Sequence, residues 1–226
     1  MNLIFITSTR HVEEVELLAQ FLCKTQKLKQ FDLILHVNTF NTNIAELVKN
    51  FNAIPNINKH LIFTDKNCGY NLGPHEAMGD FFNIFNKYQN VIHLHPDVFP
   101  VNEFKLLDIL ENNLDTALLV NHSMRDCRDW MSTDLFIIRP QLIKTNFFKN
   151  WTNYIGVPIS GGAGVNGQAC CEQFLFYEAQ RNDISYTYIP RFSDNHHFPR
   201  RICEWGFLHE HDLDSVRVLL SSLNKN

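Results

Sequence analysis

Four short apolar runs, LIFIT (3–7), FDLILHVN (31–38), KHLIFT (59–64) and NVIHLH (90–95), punctuate the first hundred residues. All four read as strands, and LIFIT, a short continuous apolar run, suits a strand buried on both faces. The stretches between them carry a different period. HVEEVELLAQFLCKT places Val12, Val15, Leu18, Ala19 and Leu22 on one helical face. NTNIAELVKNF and PHEAMGDFFNIFNKY also read as helices, the second with Pro74 at its first position. Alternating strand and helix predicts a parallel sheet with crossover helices, an α/β Rossmann-like domain. In such sheets ligands gather at the carboxyl ends of the strands. That directs attention to STR, NTF, DKNCGYNLG and HPDVFP, the segments that follow the four strands.

The second half is less regular. EFKLLDIL, CEQFLFYEAQ and LDSVRVLLSSL read as helices, the last capped by Asp212. TALLVNH, DLFIIRP and ISYTYIP read as strands, ISGGAGVNG (159–167) as a glycine-rich loop, and RFSDNHHFPRR as a polar, basic loop. With neither repeat nor linker, 226 residues fit a single domain with a mostly parallel mixed sheet flanked by helices. The 19 Phe residues read as core material. A net charge of -4 argues against a broad nucleic-acid footprint. The start MNLIFITSTR lacks the basic region of a signal peptide, and no run approaches the roughly 20 apolar residues of a membrane span. Six cysteines without a CxxC pair read as reduced thiols in a cytoplasmic protein.

Asp97 follows a buried strand and is flanked by Val98, Phe99 and Pro100, so a metal, a cation or backbone donors should partner it; a turn-capping role is the plainer alternative. His93 and His95 share a strand face. His93 lies deeper and reads as a structural histidine. A second pair, His209 and His211, sits in HEHD. Two HxH pairs together with Asp97 point toward a divalent metal.

The ordered set NCGYNLGPHEAM (67–78), VIHLHPDVFP (91–100), WMSTDLFIIRP (130–140), CEQFL (171–175) and WGFLHEHD (205–212) resembles the nucleotide-sugar-dependent glycosyltransferases of the GT-A fold. The chain is also similar in size to compact GT-A domains of large algal DNA viruses and some bacteria, which would place a viral enzyme in the host cytoplasm. The resemblance implies a hexosyl- or pentosyltransferase that takes a nucleotide sugar, of the UDP type, and a glycan acceptor. It implies a nucleotide-binding half over 1–100 and an acceptor-binding half over 101–226. In that family a DxD motif holds Mn²⁺ or Mg²⁺ against the donor diphosphate. Here HPD stands in its place, with His95 at the first acidic position and Asp97 at the second. His209 matches a C-terminal histidine ligand, with His211 as the alternate.

The donor site implied by the resemblance draws on all four strand ends. Thr7, Ser8, Thr9 and Arg10 would cradle the base, and Asn38 would reach the ribose or base. Lys66, Asn67, Gly69 and Gly73 form a glycine-bearing loop before a helix N-terminus, which favours anions and matches neither a Walker A nor a GxGxxG pattern. Arg200 and Arg201 would close over the diphosphate, or remain solvated surface arginines. Glu172, opening a helix behind the glycine-rich loop, is the expected general base of an inverting transfer. Asp134, Gly161 and Gly162 would line the acceptor, and Trp130 and Trp151 are large enough to stack on sugar faces. Two rivals remain at this point: a zinc hydrolase built on the HxH pairs, and a non-catalytic nucleotide-sugar-binding module.

Overall fold

The computed structural model describes residues 1–8, 11–38, 43–65, 73–122, 131–154, 171–189, 201–202 and 205–223. The elements of the first half are β1 (Asn2–Ser8), α1 (Val12–Leu22), β2 (Asp32–Asn38), α2 (Ile44–Asn52), β3 (Lys59–Thr64), α3 (Gly73–Phe85) and β4 (Asn90–Leu94). There follow β5 (Val98–Pro100), α4 (Glu103–Asn112), β6 (Leu118–His122), β7 (Met131–Ile138), α5 (Cys171–Arg181), β8 (Tyr186–Ile189), β9 (Arg201–Ile202), β10 (Phe207–His209) and α6 (Leu213–Leu223). A 3-10 segment spans Phe147–Tyr154.

Seven strands form the central sheet in the order β3-β2-β1-β4-β7-β6-β8. β1, β2, β3 and β4 run parallel; β7 is antiparallel to both β4 and β6, and β8 returns parallel to β6. The fold is therefore α/β with a mostly parallel mixed sheet. Period-2 alternation feeds a separate core on each face. Ile4 and Ile6 of β1 join Leu18, Leu47, Leu106 and Leu220 in one core. Leu3 and Phe5 join Phe85, Phe136, Phe148 and Phe174 in the other. Many of the phenylalanines are core, as their number suggests: Phe5, Phe21, Phe85, Phe99, Phe136, Phe147, Phe148, Phe174 and Phe207 are fully buried.

Helix starts follow local chemistry. The Asn43 side chain accepts from the Glu46 backbone N–H while its amide donates to the Glu46 carboxylate, a reciprocal cap on α2. Asn102 caps α4 through the Phe104 N–H, and Asp212 caps α6 through the Asp214 N–H.

Two features position the strand ends. The chain runs outward from β1 to β2 and β3, then returns to the other side of β1 as β4. This reversal puts the topological switch point, where such sheets bind ligands, at the carboxyl ends of β1 and β4. Beyond it a small sheet in the order β5-β10-β9 pairs Val98 with His209, Leu208 with Phe99 and Phe207 with Pro100. Gly206 makes that pairing possible: it adopts φ +80°, and a Cβ there would meet the Asn102 carbonyl oxygen at 1.9 Å. Its own carbonyl accepts from the Val101 and Asn102 N–H groups.

Candidate functional site

Asp97 sits in the turn between β4 and β5, just beyond the switch point. The β5–β10 register brings His209 opposite Val98, and the Glu210 N–H donates to the Asp97 carbonyl at 3.2 Å. Asp97 Oδ2 thus meets two imidazoles, His211 Nδ1 at 2.9 Å and His209 Nε2 at 3.4 Å. One ligand atom from each of Asp97, His209 and His211 lies within 4.8 Å of the others.

A second carboxylate enters from β7. Asp134 Oδ2 lies 3.2 Å from His209 Nδ1, and Asp134 Oδ1 lies 3.6 Å from His95 Nδ1. Ser132 Oγ donates to Asp134 Oδ2 at 2.9 Å, and the His95 N–H donates to the Asp134 carbonyl at 2.9 Å. A bulge delivers Asp134. Val120 of β6 pairs with Phe136, but Asn121 pairs with Ser132, so Thr133, Asp134 and Leu135 leave the β6 ladder. Leu135 still pairs with Leu94 of β4. Bulges re-aim side chains in this way beside functional sites.

Charge and burial shape the cluster. Burial alone would raise the Asp97 carboxyl, but His209, His211 and His95 hold it well below the usual carboxylate range. Burial works against a charged His209, yet Asp134 and Asp97 outweigh it and lift the imidazolium to about 9. The Asp97 hydrogen bond raises His211, partly opposed by burial. Asp97 Oδ1 is buried and has no hydrogen-bond partner among the described residues. A buried carboxylate oxygen left without a donor is costly. Two imidazoles together with a carboxylate that keeps such an atom fit a divalent cation in chemistry and in spacing.

The remaining expected residues divide clearly. Thr7 and Ser8 end β1: Thr7 Oγ1 lies 3.0 Å from His93 Nε2, and Ser8 is buried with no hydrogen-bond partner for its Oγ among the described residues. His93 is fully buried and stacked on Phe136, and burial, with the charges of His95 and His75, pushes its pKa well below the ordinary value. Asn38 is buried at the end of β2. Gly73 opens α3 with nothing within 4 Å of where a Cβ would stand. The backbone of Arg201 pairs with His209 across β9 and β10. Glu172, in the first turn of α5, accepts from Thr133 Oγ1 at 3.3 Å, which ties it to the bulged segment that carries Asp134. His95 stands against Asp134, outside the Asp97–His209–His211 group, and Asp134, expected on the acceptor side, is engaged with His95, His209 and Ser132. Thr9, Arg10, Lys66, Asn67, Gly69, Trp130, Gly161, Gly162 and Arg200 lie outside the described residues, as does the side chain of Trp151. Ser132 and Thr133 were missed by sequence reasoning, although both flank Asp134 in the STD triplet.

No protein-family model matches the chain, and no curated protein matches it in sequence. Solved structures do match in fold. The WbbM bifunctional glycosyltransferase, in an apo structure, superposes with a TM-score of 0.55 at 11% identity, over 82% of this chain and 38% of its own. The mannosyltransferase PcManGT from Pyrobaculum calidifontis, in complex with GDP-Man and Mn²⁺, gives 0.50 at 11% identity over 83% and 54%. A putative glucose-1-phosphate thymidylyltransferase from Bacillus anthracis gives 0.56 at 9% identity over 97% and 95%. This chain therefore spans well under half the length of WbbM and about half that of PcManGT. At these identities the likeness is one of fold: the chain has the GT-A-like, Rossmann-related architecture on which glycosyltransferases and nucleotidyltransferases are built.

Proposed function

We propose that this chain transfers a sugar from a nucleotide-sugar donor, of the UDP type, to a hydroxyl of a glycan or glycoconjugate acceptor. The observation that carries the reading is the buried Oδ1 of Asp97, without a donor among the described residues, on the carboxylate whose Oδ2 meets His209 and His211 beyond the switch point of the sheet. Asp97, His209 and His211 would hold a divalent cation there, Mn²⁺ or Mg²⁺ in the first instance. When bound, such a cation supplies positive charge to the departing diphosphate.

The chain's own groups supply the rest. Thr7 and Ser8 offer hydroxyls to the nucleotide at the end of β1, with Asn38 beside them at the end of β2. Glu172 accepts the proton of the attacking hydroxyl, and its hydrogen bond from Thr133 fixes the carboxylate relative to the cluster. Attack from that side, opposite the leaving group, inverts the anomeric configuration. Residues 1–100 carry the donor and residues 101–226 the acceptor.

The test is thermal melting of the protein with UDP, GDP, nucleoside triphosphates and UDP- and GDP-sugars, each with EDTA or Mn²⁺. A ligand that binds the folded state alone raises the melting temperature by mass action. A nucleoside diphosphate or nucleotide sugar should stabilise, and more strongly with Mn²⁺. A response to triphosphates alone would move the reading to nucleotidyl transfer. Tight zinc with no nucleotide response would move it to the hydrolase, and nucleotide-sugar binding without turnover would move it to the binding module.

A further inference from the structure

His209 is the best-buried histidine of the cluster that approaches Asp97, and its ring is held from both sides. Nε2 faces Asp97 at 3.4 Å and Nδ1 faces Asp134 at 3.2 Å, with the side chain 12% exposed. His211 differs: its side chain is 71% exposed, and its Nδ1 turns to the same Asp97 oxygen. We propose that Asp134 is a positioning residue for the metal ligand His209, a role that rests on the metal reading above.

An imidazole binds a cation through one nitrogen, and the hydrogen bond of the other nitrogen decides which. With Nδ1–H directed at Asp134, the Nε2 lone pair is left facing Asp97 and the space a cation would fill. The carboxylate also raises the electron density of the ring and so strengthens it as a ligand. Asp134 is itself held in place. Ser132 donates to the same oxygen that meets His209, the backbone of His95 is tied to the Asp134 carbonyl, and the other carboxylate oxygen faces His95. Both oxygens are thereby engaged inside the cluster, which argues against a sugar hydroxyl as their partner. The bulge in β7 has a physical consequence on this account. It releases Asp134 from β6, while the β4–β7 register, which pairs Leu94 with Leu135, carries Asp134 to the end of β4 beside His95.

The test uses Co²⁺ and Mn²⁺ alone as probes of the purified, metal-stripped protein. Calorimetry reads the dissociation constant, and the visible spectrum of bound Co²⁺ reads the ligand environment. Asp134→Asn should weaken both cations about 10- to 100-fold, the scale for losing such a partner, and should alter the Co²⁺ spectrum. Asp134→Glu should recover part of the affinity. Ser132→Ala, a milder change that leaves the carboxylate in place, should weaken binding by a smaller factor and decides the matter if the Asn variant fails to fold. Wild-type affinity and spectrum in a folded Asp134→Asn protein, or in Ser132→Ala where that variant must stand in, would overturn the proposal whatever happens to the melting temperature. A wild-type protein that binds neither cation would remove the metal reading, and this inference with it. Wild-type binding without any effect of Asp134 would remove the inference alone.

Discussion

Metal-free protein should lose stability as pH rises from about 6.5 to about 9, with His209 as the main cause and His211, raised by its hydrogen bond to Asp97, adding in the same direction. In the unfolded chain the His209 imidazole titrates near 6.5, whereas between Asp134 and Asp97 it holds its proton to about 9. Below the unfolded value both states are protonated, and the two ion pairs contribute in full. Between the two values the unfolded chain releases the proton while the folded one keeps it, so folding is progressively less favoured. Above about 9 the contribution is gone. The gap between 6.5 and about 9 corresponds to about 3 kcal/mol. The depressed carboxyl of Asp97 reports the same contacts from the other partner, so it adds no separate amount in this window. For a chain of this length that is a fall in melting temperature of about 6–12 °C.

The buried neutral histidines act on the other side of the curve. Burial lowers the pKa of His93 and of His36, so their contributions are complete above 6.5 and decline as pH falls below it, when the unfolded chain takes up protons they refuse. Melting curves in EDTA at half-unit steps from about pH 5 to about pH 10 would show both limbs. His209→Gln should remove most of the alkaline limb, leaving the share that His211 contributes, and leave the acid limb in place. An alkaline limb of wild-type steepness in that variant would refute the assignment of the proton to His209.

Three further outcomes follow from packing and from the proposed chemistry. Gly206→Ala should destabilise the fold by about 2–4 kcal/mol and weaken cation binding, read by denaturation and calorimetry, because a positive φ and a 1.9 Å approach to the Asn102 carbonyl both oppose a Cβ where β5 meets β10. Arg139→Met should cost about 3–5 kcal/mol in denaturation experiments, since the buried guanidinium donates to Asn90 Oδ1 and to the carbonyls of Leu110, Asn113 and Thr116, closing the end of α4. Glu172→Gln should leave nucleotide-induced stabilisation nearly unchanged while lowering turnover by roughly 10²-fold, with inverted product configuration in the wild type by nuclear magnetic resonance; near-normal turnover or retained configuration would remove Glu172 as the base.

The central sheet was legible because its inner strands, β1 and β4 among them, are buried on both faces, so LIFIT or NVIHLH could be little else once helical periods lay between them. The small sheet was not. β5 and β10 have three residues each and β9 has two, too few to show any period, and the β5–β10 pairing joins segments more than a hundred residues apart. Much of the cluster depends on that unreadable register. Side chains alternate along a strand, so a slip of one residue between β5 and β10 would bring Leu208 rather than His209 opposite Val98 and beside Asp97. The HxH spacing alone says that His209 and His211 can act together; the left-handed turn at Gly206 and its bonds to Val101 and Asn102 fix where they act. Asp134 shows the same limit from the other direction. The STD triplet shows neither that the β4–β7 register carries Asp134 opposite His95 nor that β7 is released from β6 at this point, and both depend on strands distant in sequence. Residue types thus announce a cluster of imidazoles and carboxylates near Asp97, while its arrangement is set by the left-handed turn at Gly206 and by the β5–β10 and β4–β7 registers, which join segments distant in sequence.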